Sequence, residues 1–372
     1  METATEATSD SDGLASAEAR RGFVVVDDPL FDEHRSPGYH PERPERLLAA
    51  RRALAACEEG GLRTVRLAPR DATDDELSRV HGGAYLEALH KMRGLKTAID
   101  DDTFVGPRSV EAAIRAAGGG LAMVDALIDG IEGAPRLGLA VVRPPGHHAR
   151  PDHGMGFCLI NNVAAAAHHA LSRGLTRVAV VDWDVHHGNG TQDIFYREPR
   201  VLFTSLHQWP MYPGTGATSE SGAGDAVGTT LNVPMSSGAN DAAYALAFEQ
   251  VVVPVLEHWE PQLVLISAGF DAHARDPLAD MALSTEAFRA MAGSLARVAR
   301  ATAGGRMGFF LEGGYDLAAL EASLVATIEG ALGTSVGPPA SAPTAAARAN
   351  LDGTHVADVA RARSAAALHH RL

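Results

Sequence analysis

Short apolar runs rich in β-branched residues alternate along this chain with longer alanine- and leucine-rich segments of helical periodicity. Neighbouring parallel strands need a long crossover between them, usually a helix, and this alternation is the pattern that results. The sequence therefore predicts an α/β fold in which helices cover both faces of a mostly parallel sheet. The predicted strands are Phe23–Asp27, Leu137–Arg143, Val178–Asp182, Val201–Ser205, Thr229–Val233, Leu263–Ser267 and Met307–Leu311. The predicted helices include Pro44–Glu58, Ser109–Asp129, Asn162–Arg173, Asp241–Trp259, Thr285–Ala303 and Leu317–Gly330.

Chemically active side chains follow five of these predicted strands. Because ligands of such sheets bind outside the carboxyl ends of the strands, we expect the five segments to converge on one edge. Asp182, Asp184 and His186 alternate at the end of one strand, and carboxylate with imidazole is a ligand set suited to zinc. The sequence therefore predicts half of a divalent metal site there. The five segments are Arg143–His148, Asp182–Asn189, Ser205–His207, Ser267–Asp271 and Glu312–Tyr315.

Composition changes sharply near both ends of the chain. Residues 1–20 are small, acidic and without apolar periodicity, which predicts a disordered tail. Residues 21–332 carry the strand and helix patterns, and we assign them to a single catalytic domain. Residues 333–372 begin as a linker rich in proline and alanine and end in a predicted helix, Val356–Leu368.

Charge and apolar patterning narrow the class of protein. The chain has 372 residues, 46 of them acidic and 32 basic, for a net charge of −14. Phosphate binding needs a basic face, so nucleic acid is excluded as the main partner, whereas cationic substrates fit this charge. No apolar run approaches the roughly 20 residues of a membrane helix, and we see no secretory signal. Two cysteines, Cys57 and Cys158, fit a reducing compartment. We predict a cytoplasmic protein without a membrane partner.

With these segments and the early block His40–Arg46 in view, the chain resembles the histone deacetylase superfamily. It is most similar there to bacterial class II-type deacetylases and to acetylpolyamine amidohydrolases. The resemblance extends from about Gly22 to Gly330 and keeps all five motifs in order. It implies the three-layer α/β/α arginase/deacetylase fold around an eight-stranded, mostly parallel sheet.

The resemblance implies two kinds of metal ion. Asp184, His186 and Asp271 match the family's ligands for one catalytic ion per chain, zinc or alternatively iron(II), with a position left open for water. The family also binds a structural potassium ion nearby. Its ligands here would be the backbone carbonyls of Asp182, Asp184, His186 and Leu206 and the hydroxyl of Ser205.

The same resemblance assigns the acid–base chemistry of amide hydrolysis. His148, oriented by Asn189, would be the principal base and acid, and His147, held cationic by Asp182, would act electrostatically. Asparagine at 189 is the class II pattern, where class I members have aspartate. Tyr315 would donate a hydrogen bond to the carbonyl of the substrate.

Four further positions match the family's substrate tunnel. Gly156, Phe157 and Tyr212 would form walls around an acylated lysine stem, although phenylalanine is commoner at the position of Tyr212. Leu278 stands where polyamine-selective relatives carry an acidic residue, which favours an acetylated lysine of a protein or peptide over an acetylated polyamine. Arg46 matches an arginine that lines an internal product channel.

Other functions compete with a deacetylase. An arginase-like ureohydrolase has the same fold but needs a second divalent ion and an Asp-x-Asp pair, and this chain has Asp271-Ala272-His273. A module that binds acyl-lysine without turnover is disfavoured because His147, His148 and Tyr315 are all present. The sequence leaves the acyl length and the oligomeric state open, a homo-oligomer included.

Overall fold

The computed structural model describes residues 22–130, 135–333 and 351–372. The predicted acidic tail, residues 1–20, lies outside these residues, as does most of the predicted linker. No helix of the described residues is long and apolar enough to cross a membrane.

An eight-stranded, all-parallel sheet forms the centre of the molecule, as the sequence predicted. Its strands lie in the order β2-β1-β5-β10-β9-β6-β7-β8, and a small antiparallel hairpin, β3 and β4, lies apart from it. The strands are β1 (Gly22–Val26), β2 (Arg63–Leu67), β3 (Thr97–Ala98), β4 (Phe104–Val105), β5 (Leu137–Ala140), β6 (Val178–Asp182), β7 (Val201–Gln208), β8 (Thr230–Met235), β9 (Leu263–Ala268) and β10 (Met307–Leu311).

The helices pack in groups around this sheet. The contacts join α1, α9 and α10 in one group and α4 and α5 in another. The helices are α1 (Glu45–Glu59), α2 (Asp74–Leu77), α3 (Gly83–Lys91), α4 (Ser109–Asp129), α5 (Asn162–Ser172), α6 (Asn189–Phe195), α7 (Asp241–Ala247), α8 (Val253–Trp259), α9 (Thr285–Thr302), α10 (Leu317–Leu332) and α11 (Gly353–Ala366).

All seven predicted strands are present, and the eighth, β2, was missed. Strands β1, β6, β9 and β10 are buried along their whole length, so they read as continuous apolar runs. Strand β2 lies at the edge of the sheet, and its sequence Arg-Thr-Val-Arg-Leu is exposed or half-buried throughout. An edge strand of this kind lacks the apolar signal that identifies a central strand.

The predicted helix Asp241–Trp259 is helical between its predicted bounds, but its middle is not a regular α-helix. Helices α7 and α8 are separated by a π-helical segment, Phe248–Val252. Pro254, in the first turn of α8, has no N–H to donate, and its ring would clash with the carbonyl four residues earlier in a regular helix. A wider turn immediately before the proline accommodates both constraints.

The C-terminal helix α11 covers the outer edge of β8. The Asp358 carboxylate accepts a hydrogen bond from the Ser236 N–H at 2.8 Å, just beyond the end of β8. His370, after the helix, donates from Nε2 to the Gly228 carbonyl before the strand, at 2.8 Å. The helix therefore protects an edge that would otherwise present unpaired backbone groups.

Candidate active site

Two carboxylates and one imidazole converge at the carboxyl ends of β6 and β9. Asp184 and His186 follow β6, and Asp271 follows the neighbouring strand β9. Nδ1 of His186 lies 3.1 Å from Oδ1 of Asp184 and 3.1 Å from Oδ2 of Asp271. One ligand atom from each of the three residues lies within 4.8 Å of the other two. The structure thus brings together the three residues that the resemblance implied as a donor set, and carboxylate with imidazole suits zinc or another divalent ion.

The backbone holds both carboxylates in place. The N–H of Gly313 donates to Oδ2 of Asp184 at 2.8 Å, and the N–H of Val185 donates to Oδ1 of Asp271 at 2.9 Å. A Cβ atom at position 313 would overlap both carboxylates, so this close approach requires glycine. Each carboxylate therefore turns its other oxygen towards His186.

Burial and mutual contact shift the pKa values of His186 and Asp271. Burial would lower the pKa of His186, but its bonds to Asp184 and Asp271 raise it to about 10. Burial, together with the charge of Asp184, raises the pKa of Asp271 to about 7. A divalent ion would displace these protons, because ligands bind metals in their deprotonated forms. The buried, acidic and imidazole-containing donor set fits a cation.

His147 and His148 follow β5 and lie with their ring centroids 4.0 Å apart. Nδ1 of His147 is 3.0 Å from Oδ2 of Asp182, and Nδ1 of His148 is 2.7 Å from Oδ1 of Asn189. The amide oxygen of Asn189 can only accept, so His148 carries a proton on Nδ1 and has its Nε2 lone pair available. These are the two partnerships that the resemblance implied.

The two imidazoles differ in charge. Although burial would lower the pKa of His147, the carboxylates of Asp182 and Asp184 raise it well above its usual value. Burial lowers the pKa of His148 well below its usual value, and the neighbouring His147 and His186 lower it further. One buried imidazolium therefore lies beside one neutral imidazole, a pairing suited to divided roles in proton transfer.

Tyr315 lies after β10, and its buried ring is 6.0 Å from that of Phe157. Burial raises the pKa of its hydroxyl well above the usual value, although the nearby Arg46 opposes the shift. The hydroxyl makes no hydrogen bond to any of the described residues, so it is available to a substrate. The guanidinium carbon of Arg46 lies 5.0 Å from the centroid of the ring.

Of the four predicted tunnel residues, Gly156, Phe157 and Tyr212 lie around this centre. The Tyr212 ring is 5.3 Å from His148 and 6.2 Å from His186, and its side chain is partly exposed. Gly156 has a positive φ of 55°, and a Cβ there would overlap the His148 ring, so the adjacent wall needs glycine. Leu278 is half-buried on a turn, and its backbone N–H donates a hydrogen bond to the Asp276 carboxylate.

Sequence reasoning missed the group that anchors the histidine segment. Oε2 of Glu312, at the end of β10, accepts hydrogen bonds from the backbone N–H of Gly146 at 2.7 Å and of His147 at 3.2 Å. Its Oε1 accepts from the Ser267 hydroxyl at 3.1 Å. The signal was present in the sequence, because a glutamate directly after an all-apolar strand is costly to bury unless it is bonded. With Cys158 and His147, Glu312 forms the second potential ligand cluster of the described residues.

A buried ion cluster behind Tyr315 was also missed. Glu42 is fully buried between the guanidinium groups of Arg46 and Arg143. Arg46 also donates to the carbonyls of Glu312 and Gly314, which precede the tyrosine. The His40–Arg46 block thus contacts the backbone of the active-site loop.

The structure separates His273 from the metal ligands. Its Nδ1 accepts the backbone N–H of Arg275 at 3.1 Å, and its Nε2 lies 3.5 Å from the Thr285 hydroxyl. Among the described residues, the cluster around Asp271 has three potential ligands and His273 is not one of them. The Asp271-Ala272-His273 segment therefore contributes one residue to this cluster, and not the two of an Asp-x-Asp pair.

A model of the histone deacetylase domain matches residues 40–331. Histone deacetylase-like amidohydrolase of Pseudomonas aeruginosa is 42% identical over 78% of this chain and 76% of its own length. Chloroplastic histone deacetylase 10 of Oryza sativa subsp. japonica is 37% identical over 87% of this chain and 78% of its own. Polyamine deacetylase HDAC10 of Homo sapiens is 39% identical over 90% of this chain and half of its own length.

The crystal structure of the HDA15 HD domain superimposes with a TM-score of 0.84 at 35% identity, covering 94% of this chain and 96% of that one. The eight-stranded sheet and its surrounding helices agree with that fold. The chain belongs to the histone deacetylase family. These relatives support a deacetylase, a hydrolase of acetylated substrates.

Proposed function

We propose that the protein hydrolyses the amide bond of N-acetyl-lysine side chains, with one zinc ion per chain and iron(II) as the alternative. The observation that carries this proposal is the arrangement of Asp184, His186 and Asp271 near two adjacent imidazoles, one bonded to a carboxylate and the other to an amide oxygen. The proposed setting is cytoplasmic, with a structural potassium ion at the end of β6.

A divalent metal held by Asp184, His186 and Asp271 would supply Lewis acidity, activating water and polarising the acyl carbonyl. His148 is the group suited to take the proton from the attacking water, because its Nδ1 is committed to Asn189 and its neutral Nε2 accepts. The same Nε2 would then return the proton to the leaving amine. His147 stays cationic beside Asp182 and lowers the energy of negative charge that develops on the substrate.

The tunnel walls support an elongated, unbranched substrate. The Tyr212 ring lies close to His148, the Phe157 ring lies close to Tyr315, and Gly156 leaves room for His148. Leu278 offers no charge to a distal ammonium. We therefore favour acetyl-lysine in a protein or peptide, with an acetylated polyamine as the alternative substrate.

Removing the metal is expected to abolish hydrolysis of an acetyl-lysine peptide, and adding back one equivalent of zinc or iron(II) is expected to restore it. The reason is that Asp184, His186 and Asp271 would activate water only through the ion that they hold. Elemental analysis of the native protein, with activity measured during titration of the chelated protein, provides the measurement. Two tightly bound divalent ions per chain at this centre would contradict the mononuclear proposal and favour the ureohydrolase.

Replacing Leu278 with glutamate is expected to shift preference towards polyamines. The ratio of kcat/KM for acetylspermidine to that for an acetyl-lysine peptide should rise about fivefold, equivalent to about 1 kcal/mol for a partly exposed ion pair. The matched control is Leu278→Gln, which is polar but uncharged. Equal ratios for the two variants would mean that position 278 does not face the distal ammonium.

A further inference from the structure

The loop that carries the catalytic tyrosine, residues 312–316, is held from two sides. On one side Arg46 binds the carbonyls of Glu312 and Gly314. On the other side Oδ2 of Asp276 accepts the N–H of Tyr315 at 2.6 Å and the N–H of Asp316 at 3.3 Å. The backbone of the tyrosine thus depends on a side chain from a different loop.

The same carboxylate also shapes the turn that carries Leu278. Oδ1 of Asp276 accepts the N–H of Leu278 at 3.1 Å, across Pro277. Asp276 is 7% exposed, so water competes little for these bonds. Its two oxygens therefore bind two turns at once, one that carries Tyr315 and one that carries Leu278.

We propose that Asp276 is a positioning residue that fixes the Tyr315 hydroxyl relative to the Leu278 turn. This inference rests on the proposed function, because the position of the hydroxyl matters only if it binds a reacting carbonyl. The required precision is high, since a displacement of about 1 Å in an active site lowers rates by roughly 100-fold.

Asp276→Asn is a sharp test, because asparagine keeps the shape of the aspartate side chain but has one hydrogen-bond acceptor oxygen fewer. Aspartate accepts at both oxygens, and asparagine has one oxygen and one NH2 group that only donates. The NH2 group would face either the N–H of Tyr315 or that of Leu278, so one of the two turns must be released. Asp280→Asn is the matched control, because Asp280 is an exposed carboxylate of the same loop.

Asp276→Asn is expected to lower kcat for an acetyl-lysine peptide roughly 10- to 100-fold, with a much smaller change in KM. Asp280→Asn should have wild-type values. A change in KM alone, or equal effects of the two variants, would overturn the proposal.

A double variant separates positioning from a general loss of structure. If Asp276 acts through the hydroxyl, Asp276→Asn should cost almost nothing further in a Tyr315→Phe background, because no hydroxyl remains to be placed. Full additivity of the two changes would overturn the proposal.

Hydrogen–deuterium exchange reports on the loop without any substrate. Amide exchange in the peptides that contain residues 312–316 and 277–280 should be faster in Asp276→Asn than in wild type or Asp280→Asn. Unchanged exchange would overturn the proposal. If the wild-type protein hydrolysed no acylated amine, the proposed function would fail, and the exchange experiment would still decide whether Asp276 holds the two turns.

Discussion

Replacing Tyr315 with phenylalanine is expected to lower kcat for an acetyl-lysine peptide about 100- to 1,000-fold. The hydroxyl makes no hydrogen bond to the described residues, and burial raises its pKa well above the usual value, so it remains a proton-bearing donor. Its hydrogen bond strengthens as the carbonyl oxygen becomes an oxyanion, so its loss affects the transition state more than binding. Steady-state kinetics on the metal-loaded protein measure the change.

Two further measurements limit the interpretation of that loss. Metal content should remain at the wild-type value, because Tyr315 is not among the three metal-facing residues. Tyr196→Phe is the matched control, since Tyr196 is a half-buried tyrosine at the end of α6 and outside the site. Turnover by Tyr315→Phe equal to that of wild type would refute the role of the hydroxyl, and the non-catalytic binding module would then become the better hypothesis.

The sequence revealed the parts of the site that lie at the ends of buried strands. Strand β6 was predicted with its observed bounds, and the residues that follow it reach the same edge as Asp271 because parallel strands share one direction. The alternation of Asp184 and His186 was visible as a local pattern. All five strand ends could be assigned to the same edge of the sheet without knowing the order of the strands.

Unlike Glu312, two other groups that hold this site together, Glu42 and Asp276, were not visible in the sequence, and the reason is physical. The Glu42–Arg143 pair joins residues 101 positions apart, and Asp276 meets the Tyr315 backbone across 39. Local sequence patterns predict periodicity and turns, whereas these pairings depend on the order of the strands in the sheet. That order could not be predicted in full, because the edge strand β2 lacks an apolar signal. A buried carboxylate in a loop, such as Glu42 or Asp276, looks like an ordinary polar residue until its partner is known.

The second large effect is expected in stability. Glu42→Gln should lower the free energy of unfolding by about 3–5 kcal/mol, because it leaves the buried guanidinium groups of Arg46 and Arg143 without their countercharge. The three side chains are fully buried, with Arg46 Nη1 at 3.0 Å and Arg143 Nη2 at 2.6 Å from the carboxylate. Denaturant unfolding of the metal-free proteins measures the difference. Glu45→Gln, an exposed change in the first turn of α1, is the control and should cost less than about 1 kcal/mol.

The difference in unfolding free energy between wild type and Glu42→Gln should also depend on pH, and the direction of the change follows from the pKa of Glu42. Burial would raise the pKa of this carboxyl, but Arg143 holds it well below its ordinary value of 4.5. The folded protein therefore binds fewer protons at Glu42 than the unfolded chain does once the pH falls below about 4.5. The stabilisation is complete above that pH and declines as the pH falls towards the lower pKa of the folded state. The difference between wild type and Glu42→Gln should consequently be constant from pH 8 to about 5 and shrink under more acidic conditions. A difference that grew on acidification would mean that Glu42 is not the ionised partner of the two arginines.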